Sequence, residues 1–223
     1  MNTQQLIQAC QQEWQGYIEH DFVHQLADGT LQHEVFLHYL KQDFLFLKQY
    51  TRAYALAIYK AKNLAQMRSA LPSLHNLLDS EIGHHIEFCQ KWGISEQEME
   101  AETEDFGTVA YTRYVLDTGS AGDLVDLYVA LAPCAIGYGV IGDNLAKRDT
   151  TVLEGNPYQS WLEMYASAEF QDSVVSCIEN LDQLIADIPD NSARAKQLIE
   201  VFRTATRMEI AFWEQGYNAV KQK

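Results

Sequence analysis

Apolar residues recur at intervals of three and four along most of the chain, most clearly in residues 6–18, 35–58 and 198–213. This spacing places side chains along one face of an α-helix, whereas a half-buried strand alternates every second residue. No β-branched run with strict alternation is bounded by turn residues. The pattern therefore predicts an all-α protein.

Glycine, proline and capping residues divide this pattern into segments. Breaks are predicted at 27–29, 91–93, 119–122, 155–157 and 188–191. Ser95 and Glu98 form a capping box, a helix-start signature. We find no Gly/Ser-rich or Pro-rich linker and no internal repeat. The sequence thus predicts a single domain over residues 1–223, a bundle of about seven or eight helices.

Composition restricts the possible partners. The 223 residues are 47% hydrophobic, enough for a sizeable core, and they carry a formal charge of −15. Basic residues are scattered singly, apart from Lys147–Arg148. Nucleic acid and anionic membranes need clustered positive charge, so neither is expected as a partner.

Cysteine usage and the N-terminus indicate the compartment. Four cysteines without a C-x-x-C pair support neither a disulfide framework nor a zinc ribbon. The first 14 residues lack the basic and apolar regions of a secretory signal. The longest uncharged run, Leu127 to Gly142, is too short for a bilayer span. We expect a reduced, soluble, cytoplasmic protein.

Two motifs need a structural context that the sequence does not supply. Gly137, Gly139 and Gly142 spell G-x-G-x-x-G, which binds dinucleotides only where a strand turns into a helix. Because the preceding residues are predicted helical, we interpret these glycines as sites of close packing against a neighbour or a flat ligand. Glu81 and His84 form half of a di-iron motif, but all seven histidines lie in the first 85 residues. We therefore interpret Glu81 and His84 as ordinary helix residues, and no metal site is predicted.

Cys134 is the cysteine with the most unusual surroundings. It follows Pro133, which removes a helical hydrogen bond, and it shares a helix face with Tyr138. A buried cysteine more often packs as a small apolar side chain than acts as a nucleophile. Both interpretations stay open on the residues alone.

Carboxylates also occur on faces that are otherwise aromatic. Asp43 lies among Tyr39, Phe46 and Tyr50 at helical spacing, and Glu209 lies among apolar residues near the C-terminus. Further aromatic faces contain Tyr111 and Tyr114, then Tyr158, Trp161 and Tyr165. Taken separately, each of these faces is explained by side chains that pack in the core and carry a polar group at the tip. Together they predict a pocket for a flat, nitrogen-containing ring.

The sequence resembles the TenA family, thiaminase II or aminopyrimidine aminohydrolase, over nearly the whole chain. Six segments in order carry the resemblance: 22–31, Tyr39-Leu-Lys-Gln-Asp43, Ala110-Tyr-Thr-Arg-Tyr114, Pro133-Cys-Ala-Ile-Gly-Tyr138, 158–170 and Glu209-Ile-Ala-Phe-Trp213. The resemblance implies the all-helical heme-oxygenase-like bundle. It also implies hydrolysis of 4-amino-5-aminomethyl-2-methylpyrimidine to the hydroxymethyl pyrimidine in thiamin salvage, with thiamin as a weaker substrate.

The resemblance also implies roles for single residues. Cys134 would be the nucleophile, Glu209 the proton donor and acceptor, and Asp43 the ligand of the pyrimidine ring nitrogen and amine. Tyr138 and Tyr165 would line the site and form hydrogen bonds in it. Tyr111 and Phe46 would form part of its wall.

Many relatives carry tyrosine at the position of Phe46. The family needs no metal or organic cofactor, and its members are usually homotetramers.

Two other classes remain as alternatives. One is a pyrimidine-binding or regulatory protein without turnover, which would bind ligand but release no ammonia. The other is a heme or di-iron oxidase on the same bundle, against which the absence of C-terminal histidines argues.

Overall fold

The computed structural model describes residues 1–221 and is built from helices. Within that range there are twelve α-helices, one five-residue π-helix and no β-strand. The helices are α1 Thr3–Ala9, α2 Gln11–Ile18, α3 Asp21–Asp28, α4 His33–Lys60, α5 Leu64–Asn76, the π-helix Leu77–Glu81, α6 Ile82–Lys91, α7 Glu96–Ala101, α8 Phe106–Ala121, α9 Leu124–Lys147, α10 Gln159–Ala166, α11 Ala168–Ile185 and α12 Ala193–Lys221. The all-α class is confirmed.

The helices outnumber the seven or eight predicted, in part because two of the breaks between them are single residues. Cys10 alone separates α1 from α2, and Ser167 alone separates α10 from α11. Ser167 has an extended backbone, and its side chain accepts a hydrogen bond from the amide of Phe170. Neither break contains glycine or proline, which is why the punctuation of the sequence does not reveal it.

Most of the other predicted ends are confirmed by local geometry. Gly29 and Gly93 have φ values of 77° and 79°, which favour glycine and end α3 and α6. Ser95 and Glu98 form the predicted capping box of α7. The break predicted at 119–122 is shorter than expected, because α8 continues through Gly119 to Ala121.

The chain divides into two compact units. The first unit comprises Met1–Gln32 and Val129–Ile210, and the second comprises His33–Tyr128 and the chain from Ala211 onward. Two of the three boundaries fall within α9 and α12, and the other lies just before α4. The single domain over 1–223 stays a prediction.

The core of the first unit contains the N-terminal apolar stripe. All five of its members are buried, namely Leu6, Cys10, Trp14, Tyr17 and Ile18. The Trp14 ring stacks on Phe202 of α12 at 5.7 Å between centroids. This stripe therefore forms the apolar face that the spacing predicts.

The core of the second unit is centred on α4. The Tyr39 ring lies 5.5 Å from Trp213 and 6.2 Å from Phe212, both on α12. At the other end of α4, Tyr50 and Tyr54 meet edge to face at 5.4 Å. Aromatic side chains thus line most of the buried length of this helix.

The three glycines of the G-x-G-x-x-G sequence lie inside α9, where neighbouring elements approach its backbone. A Cβ at residue 139 would lie 2.6 Å from Val174, and one at residue 137 would overlap the ring of Tyr17. A Cβ at Gly142 would overlap the main-chain carbonyl of Tyr165. The packing interpretation is confirmed for all three positions.

Helix α9 is long and apolar enough to cross a membrane by length and composition alone. However, 83% of its most apolar stretch is buried within the protein. The core helix of a soluble protein shows the same combination.

We expect Gly142→Ala to destabilise the protein by about 1–3 kcal/mol, because the added methyl group meets backbone that cannot rotate away. Gly83→Ala is the matched control, since a Cβ at this helical glycine meets nothing within 4 Å. There, replacing glycine should stabilise the helix by roughly 0.5–1 kcal/mol. Urea denaturation monitored by circular dichroism measures both changes, and equal behaviour of the two variants would contradict the packing argument.

Candidate active site

The residues predicted to form the site fall into two groups, one in each unit. Cys134, Tyr138, Tyr165 and Glu209 belong to the first unit. Asp43, Phe46 and Tyr111 belong to the second unit.

An aromatic cluster gathers around Tyr165 in the first unit. Its ring centroid lies 4.8 Å from that of Tyr138 on α9 and 4.6 Å from that of Trp161 on α10. Phe170 on α11 meets it edge to face at 4.9 Å. The structure therefore brings Tyr138 and Tyr165 together and adds two rings from the same segment of sequence as Tyr165.

A glutamine fixes the backbone beneath this cluster. The side-chain amide of Gln171 donates hydrogen bonds to the carbonyl oxygens of Tyr165 at 2.8 Å and Gly139 at 3.0 Å. These bonds join α9, α10 and α11 at the point where Gly142 permits their close approach. Sequence reasoning missed Gln171, because nothing in its spacing distinguishes it from a surface glutamine.

Cys134 lies one helical turn before Tyr138 on α9, and its side chain is half-buried. Helix α9 continues through Pro133, which has no N–H to donate to the carbonyl of Val129. The thiol thus lies beside an interruption in the helical hydrogen-bond ladder.

Two other cysteines are more deeply buried than Cys134. Cys10 and Cys89 are fully buried. Burial raises the pKa of the Cys10 thiol to about 11 and that of Cys89 to about 12. Such thiols are inert near neutral pH, because the thiolate is the nucleophilic form. Cys134 and Cys177 are the half-buried pair.

Glu209 lies on α12 and is only 2% exposed. A carboxylate this far from water is costly unless nearby groups compensate its charge. Thr206, one turn earlier, is also buried, and its hydroxyl donates to the carbonyl of Phe202 at 2.9 Å. This face of α12 therefore combines polar groups with apolar packing.

Asp43 in the second unit is nearly as well buried, at 4% exposed. The hydroxyl of Tyr39 donates to its Oδ2 at 3.2 Å, one turn earlier on α4. Nδ1 of His85 on α6 lies 3.5 Å from the same oxygen. The carboxyl therefore lies beside polar groups from two helices and accepts a hydrogen bond from one of them.

Aromatic rings lie beside Asp43 in sequence and form a wall. The Phe46 ring is 5.0 Å from Tyr111, 5.3 Å from Tyr50 and 5.5 Å from Phe212. Phe46 and Tyr111, predicted as walls of one site, are therefore in contact. Both are buried.

A buried glutamine positions the helix that carries Tyr111. The Oε1 atom of Gln42 accepts hydrogen bonds from the Thr108 hydroxyl at 2.7 Å and from the Asp105 amide at 2.9 Å. Its amide donates to the carbonyl of Thr103 at 2.9 Å. The start of α8 is thus fixed to α4, one turn before Tyr111. Sequence reasoning missed Gln42, because its partners in α8 and the preceding loop are more than 60 residues away.

The half di-iron motif lies where the π-helix meets α6. Burial raises the pKa of Glu81 to about 7, whereas His84 is exposed. Across residues 1–221, no three His, Cys, Asp or Glu side chains converge closely enough to hold a metal ion.

Comparison with curated proteins finds relatives over nearly the whole chain. An uncharacterized Haemophilus influenzae protein is 46% identical, covering 96% of this chain and 97% of its own length. The aminopyrimidine aminohydrolase of Halalkalibacterium halodurans is 33% identical over 96% of this chain and 94% of its own. The aminopyrimidine aminohydrolase of Helicobacter pylori is 31% identical over 97% of this chain and 99% of its own length.

Solved structures share the architecture. A TenA family transcription regulator from Silicibacter sp. TM1040 superposes with a TM-score of 0.89 at 36% identity, covering 95% of this chain and 94% of that one. A domain of unknown function with a heme oxygenase-like fold, from Shewanella denitrificans, superposes with a TM-score of 0.76 at 13% identity. The match covers 99% of this chain and 94% of that one. The second match concerns the fold alone, and it confirms the expected bundle.

A family comparison gives the same assignment as the relatives. Residues 7–219 match the TENA/THI-4/PQQC family, which is nearly the full length described. The resemblance noted from six short segments is therefore confirmed, and the chain belongs to the TENA/THI-4/PQQC family.

Proposed function

We propose that this protein is an aminopyrimidine aminohydrolase of the thiaminase II type, a hydrolase acting on C–N bonds in thiamin salvage. The observation that carries the proposal is the match to two proteins of that name at 31–33% identity, over at least 94% of every chain compared. The preferred substrate is 4-amino-5-aminomethyl-2-methylpyrimidine, and thiamin is cleaved more slowly.

Asp43 is the proposed pyrimidine-binding group. One oxygen of the carboxyl accepts a hydrogen bond from the exocyclic amine of a 4-aminopyrimidine, and the other bonds to the adjacent ring nitrogen through a proton that lies between them. Its burial supports this role, because hydrogen bonds from water compete least where water is excluded. Phe46 and Tyr111 supply the aromatic wall of the site. Tyr138 and Tyr165 lie against the pyrimidine ring and form hydrogen bonds with it.

Cys134 and Glu209 are the proposed catalytic residues. The Cys134 thiolate adds to the electron-poor ring, and Glu209 donates a proton to the aminomethyl nitrogen, which leaves as ammonia. Water then supplies hydroxyl to the methylene carbon and its proton to Glu209, and the ring expels the thiolate. The sum is aminomethyl pyrimidine plus water giving hydroxymethyl pyrimidine plus ammonia, with both residues restored.

The proposal also includes assembly and location. We propose a homotetramer in the cytoplasm, following the family resemblance and the pattern of cysteine usage. Light scattering coupled to size-exclusion chromatography measures the oligomeric state.

The first test compares Cys134→Ala with Cys177→Ala in ammonia release from the aminomethyl pyrimidine. We expect turnover in the wild type and in Cys177→Ala, and loss of at least about a thousandfold in Cys134→Ala. Cys177 is a matched control because it is also half-buried on a helix of the first unit.

Two other results of the ammonia-release assay would contradict parts of the proposed function. Full activity in Cys134→Ala would contradict the covalent mechanism. A wild type that binds the pyrimidine without releasing ammonia would instead indicate a binding or regulatory protein.

The second test is the affinity of Asp43→Asn for the hydroxymethyl pyrimidine, measured by calorimetry. Loss of a hydrogen bond to a charged group costs about 1.5–3 kcal/mol, so we expect binding to weaken about 10- to 100-fold. Asp79→Asn controls for the charge change, because Asp79 is an exposed residue paired with His75. Unchanged affinity in Asp43→Asn would contradict the assigned role.

The third test is alkylation of the folded protein with iodoacetamide at pH 7.5, followed by peptide mass mapping. We expect Cys134 to be modified first and to be protected by bound pyrimidine. Cys10 and Cys89 should stay unmodified, because a thiol with a pKa near 11 or 12 is almost entirely protonated at this pH. Labelling of Cys10 at the rate of Cys134 would contradict this order.

A further inference from the structure

Large apolar side chains are exposed along the segment formed by α5 and the π-helix. Nine such side chains are exposed within residues 1–221, and four of them lie on this segment, namely Leu64, Met67, Leu71 and Leu78. Leu64 is 66% exposed, and Leu71 and Leu78 are each 54% exposed. A single exposed apolar residue needs no explanation, whereas a contiguous row of them marks an interaction site.

The four residues and the half-buried Leu74 form an exposed stripe with a regular spacing. Successive members of the exposed stripe are 3, 4, 3 and 4 residues apart. At 3.6 residues per turn they lie within an arc of about 80° and extend for about 21 Å along the helix. This is the spacing of a coiled-coil seam, in which each apolar side chain packs against the seam of a second helix.

The exposed stripe is distinct from the face of α5 that the core of the second unit covers. Ala70 and Leu77, seven residues apart, are 0% and 4% exposed and mark that covered face. Leu71 follows Ala70 directly and therefore points about 100° away from it around the helix axis. The segment thus has two apolar faces, and its own unit covers only one of them.

Charge is divided between the two ends of this segment. Residues 60–78 carry three basic side chains and no acidic one, whereas residues 79–90 carry three acidic side chains and no lysine or arginine. Exposed residues occur at both ends, with Lys62 and Arg68 at the basic end and Asp79 and Glu87 at the acidic end. Two antiparallel copies of the segment would place each basic end beside an acidic end, whereas two parallel copies would place like charges together.

This charge division also favours a second copy of the chain over an unrelated acidic or basic partner. The chain as a whole carries a formal charge of −15, so two copies repel each other over most of their surfaces. A segment with one basic and one acidic end is complementary to itself. A twofold interface uses the same patch on both copies, so self-complementarity is the property that it requires.

We infer that a second copy of this chain covers the exposed stripe, with the two stripes packed antiparallel about a twofold axis near Leu71. The inference gives the homotetramer proposed above one of its contact surfaces. It rests on that assembly and is independent of the proposed reaction.

The first test is the mass of Leu71→Glu, measured by light scattering coupled to size-exclusion chromatography. We expect at most half the wild-type mass, because two unpaired carboxylates would be buried at the centre of the interface. Ser69→Glu is the matched control, since Ser69 is an exposed residue of the same helix about 200° from Leu71 around its axis. This control should keep the wild-type mass, and circular dichroism shows whether both variants are folded.

The other outcomes separate this inference from the proposals above. Leu71→Glu with the wild-type mass would overturn the inference and leave the tetramer intact. A monomeric wild type would overturn both. Ammonia release is measured on the same samples, and a wild type without turnover whose mass still halves in Leu71→Glu would refute the proposed reaction alone.

The second test is cross-linking through cysteines at the two ends of the exposed stripe. We expect a short bismaleimide to join two chains of the double variant Leu64→Cys, Leu78→Cys. Neither single variant should be joined, because identical ends of antiparallel stripes lie about 21 Å apart. The wild type controls for the half-buried Cys134 and Cys177. Covalent dimers in the single variants, or none in the double variant, would overturn the antiparallel arrangement.

Discussion

A side chain at residue 142 would occupy the space of a main-chain carbonyl, and much of the first unit depends on this exclusion. Because α9 presents bare backbone at Gly139 and Gly142, α10 and α11 approach it closely. Gln171 then bonds to carbonyls of both α9 and α10. The Tyr138 and Tyr165 rings meet as a result of these backbone contacts, so their geometry is set by elements that cannot easily shift.

The second unit uses buried polar side chains for a similar purpose. Gln42 connects α4 to the start of α8, and His85 connects α6 to α4. Such bonds are directional, and they are costly to break where water is excluded. They hold Tyr111 and Asp43 at defined positions in a core that is otherwise aromatic and could pack in several ways.

The sequence predicted the features that depend on local chemistry. Gly93 as a helix end, the capping box of Ser95 and the buried N-terminal stripe all follow from interactions within a few residues. The helix break at Ser167 was not predicted, and the break near Gly119 was placed too early, because tertiary packing decides there whether the helix continues.

The candidate site was predicted unevenly for the same reason. The pairs Tyr138 with Tyr165 and Phe46 with Tyr111 could be inferred from aromatic faces and family resemblance, and each pair is in contact. Gln171, Gln42 and His85 could not be inferred, because each gains its role from a partner at least 32 residues away. A polar residue of this kind is indistinguishable from a surface residue until the chain is folded.

The burial of Cys10 and Cys89 has a consequence for the durability of the protein. Oxidants react with thiolates, and these two thiols stay protonated and shielded inside the two cores. Oxidative damage would therefore begin at the half-buried cysteines and leave the packing of both units intact. With Cys134 as the nucleophile, an aged sample would lose activity while remaining folded, and a thiol reductant would restore it for as long as the cysteine had not passed the sulfenic acid stage.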